Sequence, residues 1–445
     1  MRLSSHTFYH PIAYLFSRIG VFVVFGISTA LLGVEVGDVP SSAGWSQNAT
    51  SGITQTRGEI VLNGWWRFAE ATGAGAADVS TWGWARVPGS WAHSEEWFGA
   101  PLGSLVSPNG STWDGESAKR IRRAWYERTI TIPADWRDRR IVVKLERVST
   151  DARILIDGKP CGEVTWPEGE ADITAAVTAR ATHTLRVLVV ATPEQGEVKR
   201  FMETADKQVS TSTAKLYSRG LVGDVSLVSR PRTTWISDVF VQPSVRNKRV
   251  TLAIEVHGIA KAEDLAVTAD FCAAGTTKAE QSFSTKTSVR TADVQTITVA
   301  WDWPTPRLWD LHQPELYDLH LHLDGTTITD EVVQRFGFRE FWIDGRDFKL
   351  NGSTLHLRPC LGGGSPIPTL NDAAIERIRF RGFNFIEIWP NDMFERSAWG
   401  PDRWLIDACD RAGMLISARA GYMNQVCDHF SEPAVRTEWI AHTQQ

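Results

Sequence analysis

Short runs of alternating hydrophobic and polar residues fill the chain between residues 59 and 229 and indicate β-strands. In the clearest run, residues 125–132, apolar and polar positions alternate with a period of two until Pro133. Another run, residues 153–156, precedes Asp157-Gly158, a pair that accepts the positive φ angles of a tight hairpin turn. Helical periodicity is nearly absent, so this stretch predicts an all-β sandwich of about 170 residues.

Strand patterns continue after Pro231, which marks a boundary. Short alternating runs lie at residues 239–241, 250–256, 296–299 and 319–323. About 100 residues of such strands are typical of a small immunoglobulin-like sandwich.

The pattern changes after Phe336, where helical and strand-like segments alternate. One helix is predicted at residues 373–381, capped by Asn371 or Asp372, and another at residues 402–412, between Pro401 and Gly413. Strands are predicted at 354–358, 384–389 and 414–417, and a third helix at 433–442. A strand–helix period of about 30 residues indicates βαβ units and a parallel sheet.

Composition and charge exclude several classes of protein. The 445 residues include 42% hydrophobic and 22% charged residues, which is a globular balance. The net charge of −5 and a pI near 6.2 argue against a nucleic-acid partner. The five cysteines are scattered and form no Cys-x-x-Cys pair, so neither a zinc site nor a disulfide framework is indicated. No metal ligand and no cofactor is expected.

The N-terminus resembles an export signal. Arg2 and Arg18 precede an uncharged run at residues 19–34, and small residues follow at 40–43. The run is shorter than the ~20 residues that a membrane-spanning helix needs. We therefore expect an exported protein, periplasmic or extracellular, with no membrane contact beyond an N-terminal anchor should the signal stay uncleaved.

The order of several motifs resembles glycoside hydrolase family 2. Similar to the sugar-binding sandwich of that family are LNGWWRF (62–68), VPGSW (87–91), WYERT (125–129), IDGK (156–159) and GLVGDVSL (220–227). PELYDLHL (314–321) resembles the close of its immunoglobulin-like domain. FGFRE (336–340), FKLNG (348–352), Leu357-Arg358 and GMLI (413–416) resemble the entry into its barrel and the third barrel strand.

The patterns and the resemblance together predict a multidomain β plus α/β chain. The predicted parts are a signal peptide or N-terminal anchor (1–43), a jelly-roll-like, galactose-binding-like sugar-binding β-sandwich (44–230), an immunoglobulin-like β-sandwich (231–334) and the N-terminal part of a (β/α)8 TIM barrel (335–445). A complete barrel takes roughly 250 residues. We therefore expect a chain that is truncated within the barrel after about three strands.

The resemblance implies hydrolysis of a β-glycosidic bond with retention of configuration. Two carboxyl groups ~5–5.5 Å apart perform this reaction, one as acid/base and one as nucleophile. In the family the acid/base is a Glu directly after an Asn, at the end of the fourth barrel strand, and the nucleophile lies on a later strand. The sequence contains no Asn-Glu pair, so no catalytic residue is assigned and both carboxylates are expected beyond Gln445.

The candidate substrate-binding residues lie where the second predicted barrel strand ends: Trp389, Asn391 and Asp392. Side chains at the carboxyl ends of barrel strands line the active site of this architecture. There they would stack on, or hydrogen-bond to, a sugar. The alternative is a turn with a packed tryptophan. Departures from the family pattern, such as Ala418-Arg419 where an Asp-Glu pair is common, leave the sugar unassigned.

Tryptophan is unusually frequent, with 20 residues in the chain. The cluster Trp65, Trp66, Trp82, Trp84, Trp91, Trp97 and Trp113 offers stacking platforms for sugars or, as the favoured interpretation, packs in the sandwich core.

Two hypotheses about the function remain open. The first is a glycoside hydrolase acting on an oligosaccharide or glycoside; the second is a non-catalytic carbohydrate-binding or scaffold protein. The sequence assigns no oligomeric state.

Overall fold

The computed structural model describes residues 54–71, 82–91, 121–149, 151–165, 168–191, 219–361, 372–388 and 403–418. It also describes short pieces at 48–49, 105–106, 118, 197–199, 211–213 and 433. The predicted signal peptide or anchor, residues 1–43, lies outside them. None of the helices in these stretches is long and apolar enough to cross a bilayer.

The described part of the first sandwich contains sixteen strands. They are β1 Asn48–Ala49, β2 Gly58–Val61, β3 Gly64–Glu70, β4 Gly83–Val87, β5 Leu105–Val106, β6 Arg123–Thr131, β7 Arg140–Leu145, β8 Val148–Ser149, β9 Asp151–Ile156, β10 Lys159–Thr165, β11 Gly169–Asp172, β12 Thr182–Val190, β13 Glu197–Lys199, β14 Thr211–Thr213, β15 Gly220–Leu221 and β16 Val225–Arg230.

Two antiparallel sheets of these strands enclose the core. Five strands pair in the order β1-β2-β16-β7-β11 and seven in the order β10-β9-β12-β6-β3-β4-β5; β13-β14 and β15-β8 are separate pairs. Because side chains alternate between the two faces of a strand, Trp66 and Tyr126 of the larger sheet meet Leu145 and Leu227 of the smaller one in a single buried cluster. The all-β sandwich predicted from the alternation is confirmed.

The hairpin predicted at Asp157-Gly158 is confirmed as well. Both residues have positive φ angles, 50° and 78°, and Lys159 pairs with Ile156 across the turn. Glycine tolerates this backbone without steric cost, and aspartate is among the few other residues that adopt it readily.

The second sandwich contains seven strands. They are β17 Trp235–Ser244, β18 Arg249–Ile259, β19 Glu263–Ala273, β20 Ala279–Val289, β21 Ala292–Asp302, β22 Leu316–Asp324 and β23 Thr329–Gly337. A three-stranded sheet, β17-β18-β21, packs on a four-stranded sheet, β20-β19-β22-β23. This is the immunoglobulin-like arrangement that the sequence predicts. Trp303 lies at the centre of its aromatic core, 4.7 Å from the ring of Phe271 and 5.3 Å from that of Phe338, centroid to centroid.

A buried ion pair joins the two sandwiches. The carboxylate of Asp330 at the start of β23 pairs with Arg57, whose Nε donates to Oδ1 at 2.9 Å. The backbone N–H of Ile236 donates to the other oxygen of the same carboxylate at 2.8 Å. The side chain of Asp330 is fully buried, so its charge depends on these donors for solvation.

A three-stranded antiparallel sheet follows, formed by β24 Phe341–Asp344, β25 Asp347–Leu350 and β26 Ser353–Leu355. This sheet shows that the strand predicted at residues 354–358 is wrong. That strand was expected to be the first strand of the parallel sheet. Asn351 and Gly352, with φ angles of 53° and 93°, form a tight turn that folds β26 back onto β25. Asn-Gly is a strong hairpin signal, and it places residues 353–355 in this sheet instead.

The last described part is a βαβαβ unit. Its elements are β27 Pro359–Leu361, α1 Asp372–Phe380, β28 Phe385–Ile388, α2 Arg403–Ala412 and β29 Leu415–Ala418. The three strands are parallel in the order β27-β28-β29. The predicted parallel sheet and its two helices are confirmed, whereas the third predicted helix lies outside the described residues. The closure of these strands into a barrel stays a prediction.

Candidate active site

The two faces of the parallel sheet differ in what they contact. Ile386 of β28 is fully buried and packs with the helix residues Ile375, Leu405 and Ala408. Ile416 of β29 joins the same cluster. One face of the sheet is therefore an apolar helix-packing surface.

The opposite face carries a carboxylate near the carboxyl end of β28. Glu387 follows Ile386, so its side chain lies on the face away from the helices. It pairs in register with Ser417 of β29, which shares that face. Both side chains are half-buried. In a sheet of βαβ units, ligands bind at this edge.

The other end of the same face is an apolar floor. Leu415, two residues before Ser417, packs against a buried cluster of Trp309, Leu316 and Leu350. Leu355 of the hairpin sheet contacts this cluster too. This face is therefore covered by packed apolar side chains at the amino ends of the strands and carries polar side chains near their carboxyl ends.

Asn384 fixes the register of the first two parallel strands. Its side-chain amide donates to the carbonyl of His356 at 2.9 Å and accepts from the backbone N–H of Arg358 at 2.7 Å. Its backbone N–H donates to the carbonyl of Arg358 at 3.1 Å, and its own carbonyl accepts from Leu415 at 3.0 Å. Asn384 is buried. The sequence predicts it only as the start of a strand, because nothing in the pattern indicates this clamp.

A second set of contacts fastens the βα unit to the immunoglobulin-like sandwich. The indole N–H of Trp309 donates to the carbonyl of Asp410 in α2 at 2.7 Å. Arg339 lies 4.2 Å from the centre of the Trp309 ring and donates to the Asp410 carboxylate at 2.7 Å. The position of the candidate site relative to this sandwich is thereby held by α2.

The three residues predicted to bind substrate, Trp389, Asn391 and Asp392, follow β28 within four residues of its end and lie outside the described residues. Their role stays a prediction. Glu387 and Ser417, which sequence reasoning missed, are the described polar residues in the same region. The available signal was the strand pattern itself, since the residue after a helix-facing isoleucine must face the other way.

The tryptophans of the predicted cluster differ in burial. Trp66 and Trp91 are buried in the core of the first sandwich, and Trp82 is buried on the outer face of its seven-stranded sheet. Trp65 and Trp84 are half-exposed, and Trp97 and Trp113 lie outside the described residues. Packing therefore accounts for the buried members of the cluster.

Two buried arginines stand out in the first sandwich. Burial lowers the pKa of Arg128 to about 10, and its guanidinium donates to the backbone carbonyl of Asn63 at 3.0 Å. Burial and the neighbouring charge of Arg122 lower the pKa of Arg219 to about 10. Arg219 donates to the carbonyl of Ile121 at 3.2 Å, so both arginines satisfy backbone acceptors.

Among the residues that the structure describes, no group of three or more His, Cys, Asp or Glu side chains is arranged to hold a metal ion.

One family model and several solved structures resemble this chain. Residues 234–339 match the family model of glycosyl hydrolases family 2. β-Glucuronidase 2 of Bacteroides uniformis, covalently bound to cyclophellitol-6-carboxylate aziridine, is 22% identical with a TM-score of 0.56, covering 81% of this chain and 42% of that chain. A family 2 glycosyl hydrolase of Bacteroides cellulosilyticus is 17% identical with a TM-score of 0.59, covering 81% and 47%.

A β-galacturonidase of Eisenbergiella tayi, bound to glycerol, is 18% identical with a TM-score of 0.57, covering 84% of this chain and 58% of that chain. The chain spans less than half the length of the two Bacteroides structures. In sequence, no curated protein matches it. Residues 234–339 thus match the glycosyl hydrolases family 2 model in sequence, and more than four-fifths of the chain resembles solved structures of glycosidases in fold.

Proposed function

We propose that this chain belongs to a glycoside hydrolase that cleaves a β-glycosidic bond of a carbohydrate with retention of configuration. The observation that carries the proposal is the match of residues 234–339 to family 2. The fold shared with a β-glucuronidase and a β-galacturonidase over more than four-fifths of the chain supports it.

The reaction needs two carboxyl groups ~5–5.5 Å apart. One protonates the departing glycosidic oxygen, while the other attacks the anomeric carbon and forms a covalent glycosyl ester. Water then hydrolyses this ester, with the first group acting as base. We propose that later strands of the barrel supply both groups, because family 2 carries them on the fourth and subsequent strands.

The residues of this chain would bind and orient the sugar. We place the site at the carboxyl edge of the parallel sheet, where Trp389 offers an apolar face and Asn391 and Asp392 offer hydrogen bonds. Indole rings suit this task because a sugar ring presents an apolar face of C–H groups. The floor around Trp309 excludes water from the opposite end of the sheet.

An exported location is part of the proposal. It rests on the charge and hydrophobicity pattern of residues 1–43. Carbohydrate outside the cell is the matching substrate. Fractionation of the producing cells, with detection of the mature N-terminus by mass spectrometry, tests it; a protein that keeps Met1 and stays in the cytoplasm would contradict export.

The coding DNA downstream of the Gln445 codon tests where the catalytic groups lie. We expect it to encode a strand that ends in Asn-Glu and a further Glu on a later strand. The product of the complete reading frame should then release 4-nitrophenol from a 4-nitrophenyl β-glycoside, and proton NMR should show the β-anomer as the first product. The chain of residues 1–445 alone should release none.

The opposite result is equally clear. A stop codon directly after the Gln445 codon, with no hydrolysis of any aryl β-glycoside by the purified chain, overturns the hydrolase proposal. Heat of binding to an oligosaccharide in the same preparation would then support the carbohydrate-binding alternative.

A further inference from the structure

The carboxylate of Glu387 has no evident structural role in the described part of the protein. It lies on the sheet face opposite the helices, so it contributes nothing to the buried cluster around Ile386. Among the described residues it has neither a hydrogen bond nor an ion pair. The described residues therefore leave this half-buried carboxylate without a partner.

Its neighbours across the sheet carry no positive charge. Glu387 pairs in register with Leu361 on β27 and with Ser417 on β29, and these three residues form one row across the sheet. A serine hydroxyl both donates and accepts hydrogen bonds. At this edge of the sheet, the row therefore presents acceptor oxygens and one hydroxyl, with no basic side chain among these three residues.

We propose that Glu387 determines the charge of the sugar that the site accepts: its carboxylate receives hydrogen bonds from the hydroxyls of a neutral glycoside and repels the carboxylate of a uronic acid. This inference rests on the proposed function. Two negative charges in close proximity repel each other, and the repulsion grows as water is excluded from between them. Such repulsion is a common source of specificity.

The consequence separates this chain from two of the solved structures that share its fold. Those structures are a β-glucuronidase and a β-galacturonidase, whose names specify acidic sugars. The present chain places an acidic side chain at the carboxyl edge of its second parallel strand. We therefore expect its site to favour a sugar with a CH₂OH group over the same sugar with a carboxylate.

Matched substrates test this directly. The protein of the complete reading frame is assayed with 4-nitrophenyl β-glucoside against β-glucuronide, and β-galactoside against β-galacturonide. The members of each pair differ only in CH₂OH or carboxylate at C5. We expect kcat/KM for the neutral member of the preferred pair to exceed that of the acidic member by about tenfold or more.

Glu387→Gln removes the charge and keeps the shape of the side chain. We expect it to lower the neutral-to-acidic ratio of kcat/KM by about tenfold. The control is Glu376→Gln, the same charge change on an exposed residue of α1, which lies on the helix side of the sheet. It should leave the ratio unchanged, whereas a merely structural effect would lower both rates together.

The outcomes distinguish this inference from the proposed function. Hydrolysis that favours the uronide in the wild-type protein, or a ratio that Glu387→Gln leaves unchanged, overturns the role of Glu387 and leaves the hydrolase proposal standing. Absence of hydrolysis with all four substrates overturns the role of Glu387, and absence of hydrolysis with every aryl β-glycoside tested overturns the hydrolase proposal as well. If Glu387→Gln fails to fold, the neutral-to-acidic ratio of kcat/KM in the wild-type protein alone decides whether the role of Glu387 stands.

Discussion

At the scale of single residues, the sequence does not show which charged side chains are buried or which partners they have. Asp330 and Arg57 are 273 positions apart, so no local pattern connects them. The pairing of Glu387 with Ser417, 30 positions later, is likewise visible only in the register of the parallel strands. Residues whose role follows from local geometry, such as Asp157 and Gly158 in their turn, are predictable because the turn type dictates the residue types.

Removing the buried partner at the junction of the two sandwiches should be costly. We expect Asp330→Ala to lower the free energy of unfolding by about 3–5 kcal/mol, because Arg57 and the N–H of Ile236 would lose their acceptor. Urea unfolding followed by tryptophan fluorescence measures it.

The matched control is Asp302→Ala, which breaks the exposed pair between Arg249 and Asp302. Surface pairs contribute about 0–1 kcal/mol, so this variant should unfold almost as the wild type does. Equal losses in the two variants would contradict the special role of the buried pair.

Acid should destabilise the second sandwich through Asp318. Burial raises the pKa of this carboxyl group, but the hydrogen bonds from Arg335 and from the backbone N–H of Gly275 outweigh burial and hold the pKa below its usual 3.8. A depressed folded-state pKa stabilises the fold above the unfolded value and loses that contribution as pH falls through the folded value.

We therefore expect stability to decline below pH of about 4 in the wild-type protein. The decline should be smaller in Asp318→Asn, whose side chain does not titrate. Thermal unfolding between pH 2 and 6 compares the two. If the stability of the two proteins falls equally as the pH is lowered, the assignment to Asp318 is contradicted.

At the scale of elements, periodicity predicted most of what is observed. The helices predicted at residues 373–381 and 402–412 are found at Asp372–Phe380 and Arg403–Ala412. The wrong element is the strand at 354–358, because the Asn351-Gly352 turn folds residues 353–355 back onto β25. Pairing decides such cases, because residues 353–355 hydrogen-bond to β25 rather than to a parallel neighbour.

The connection into β29 depends on a glycine. Gly413 has a φ angle of 68°, and a methyl group there would lie 2.6 Å from the carbonyl oxygen of Leu311. We expect Gly413→Ala to destabilise the protein by more than the ~1–2 kcal/mol that a left-handed backbone alone costs. The reason is that this close contact with the backbone allows little relaxation.

Gly345→Ala is the control for backbone strain without a clash. Gly345 has a similar φ angle of 61°, and an added methyl group would meet no atom within 4 Å. Chemical denaturation of both variants gives the comparison. A Gly345→Ala variant that loses as much stability as Gly413→Ala would contradict the role of the contact with Leu311.

At the scale of the whole molecule, the order of patterns predicted a β-sandwich, an immunoglobulin-like sandwich and a βα unit, and the structure has them in that order. The site could be predicted only as a region. The alternation of strands and helices located it at the carboxyl edge of the parallel sheet, but long-range register was needed to place Ser417 beside Glu387. Trp389, Asn391 and Asp392 stay predictions.

The central claim is that this chain builds the substrate-binding edge of a retaining β-glycosidase. Its most direct test is covalent trapping of the complete reading-frame product by β-configured cyclophellitol aziridines, with neutral and 6-carboxylate rings. A nucleophilic carboxylate opens the strained ring and is left as an ester, which mass spectrometry detects on the intact protein and locates by peptide mapping. We predict one adduct per chain, on a Glu, formed faster with a neutral ring. No adduct with any ring, in a protein that is folded by circular dichroism, would contradict the account.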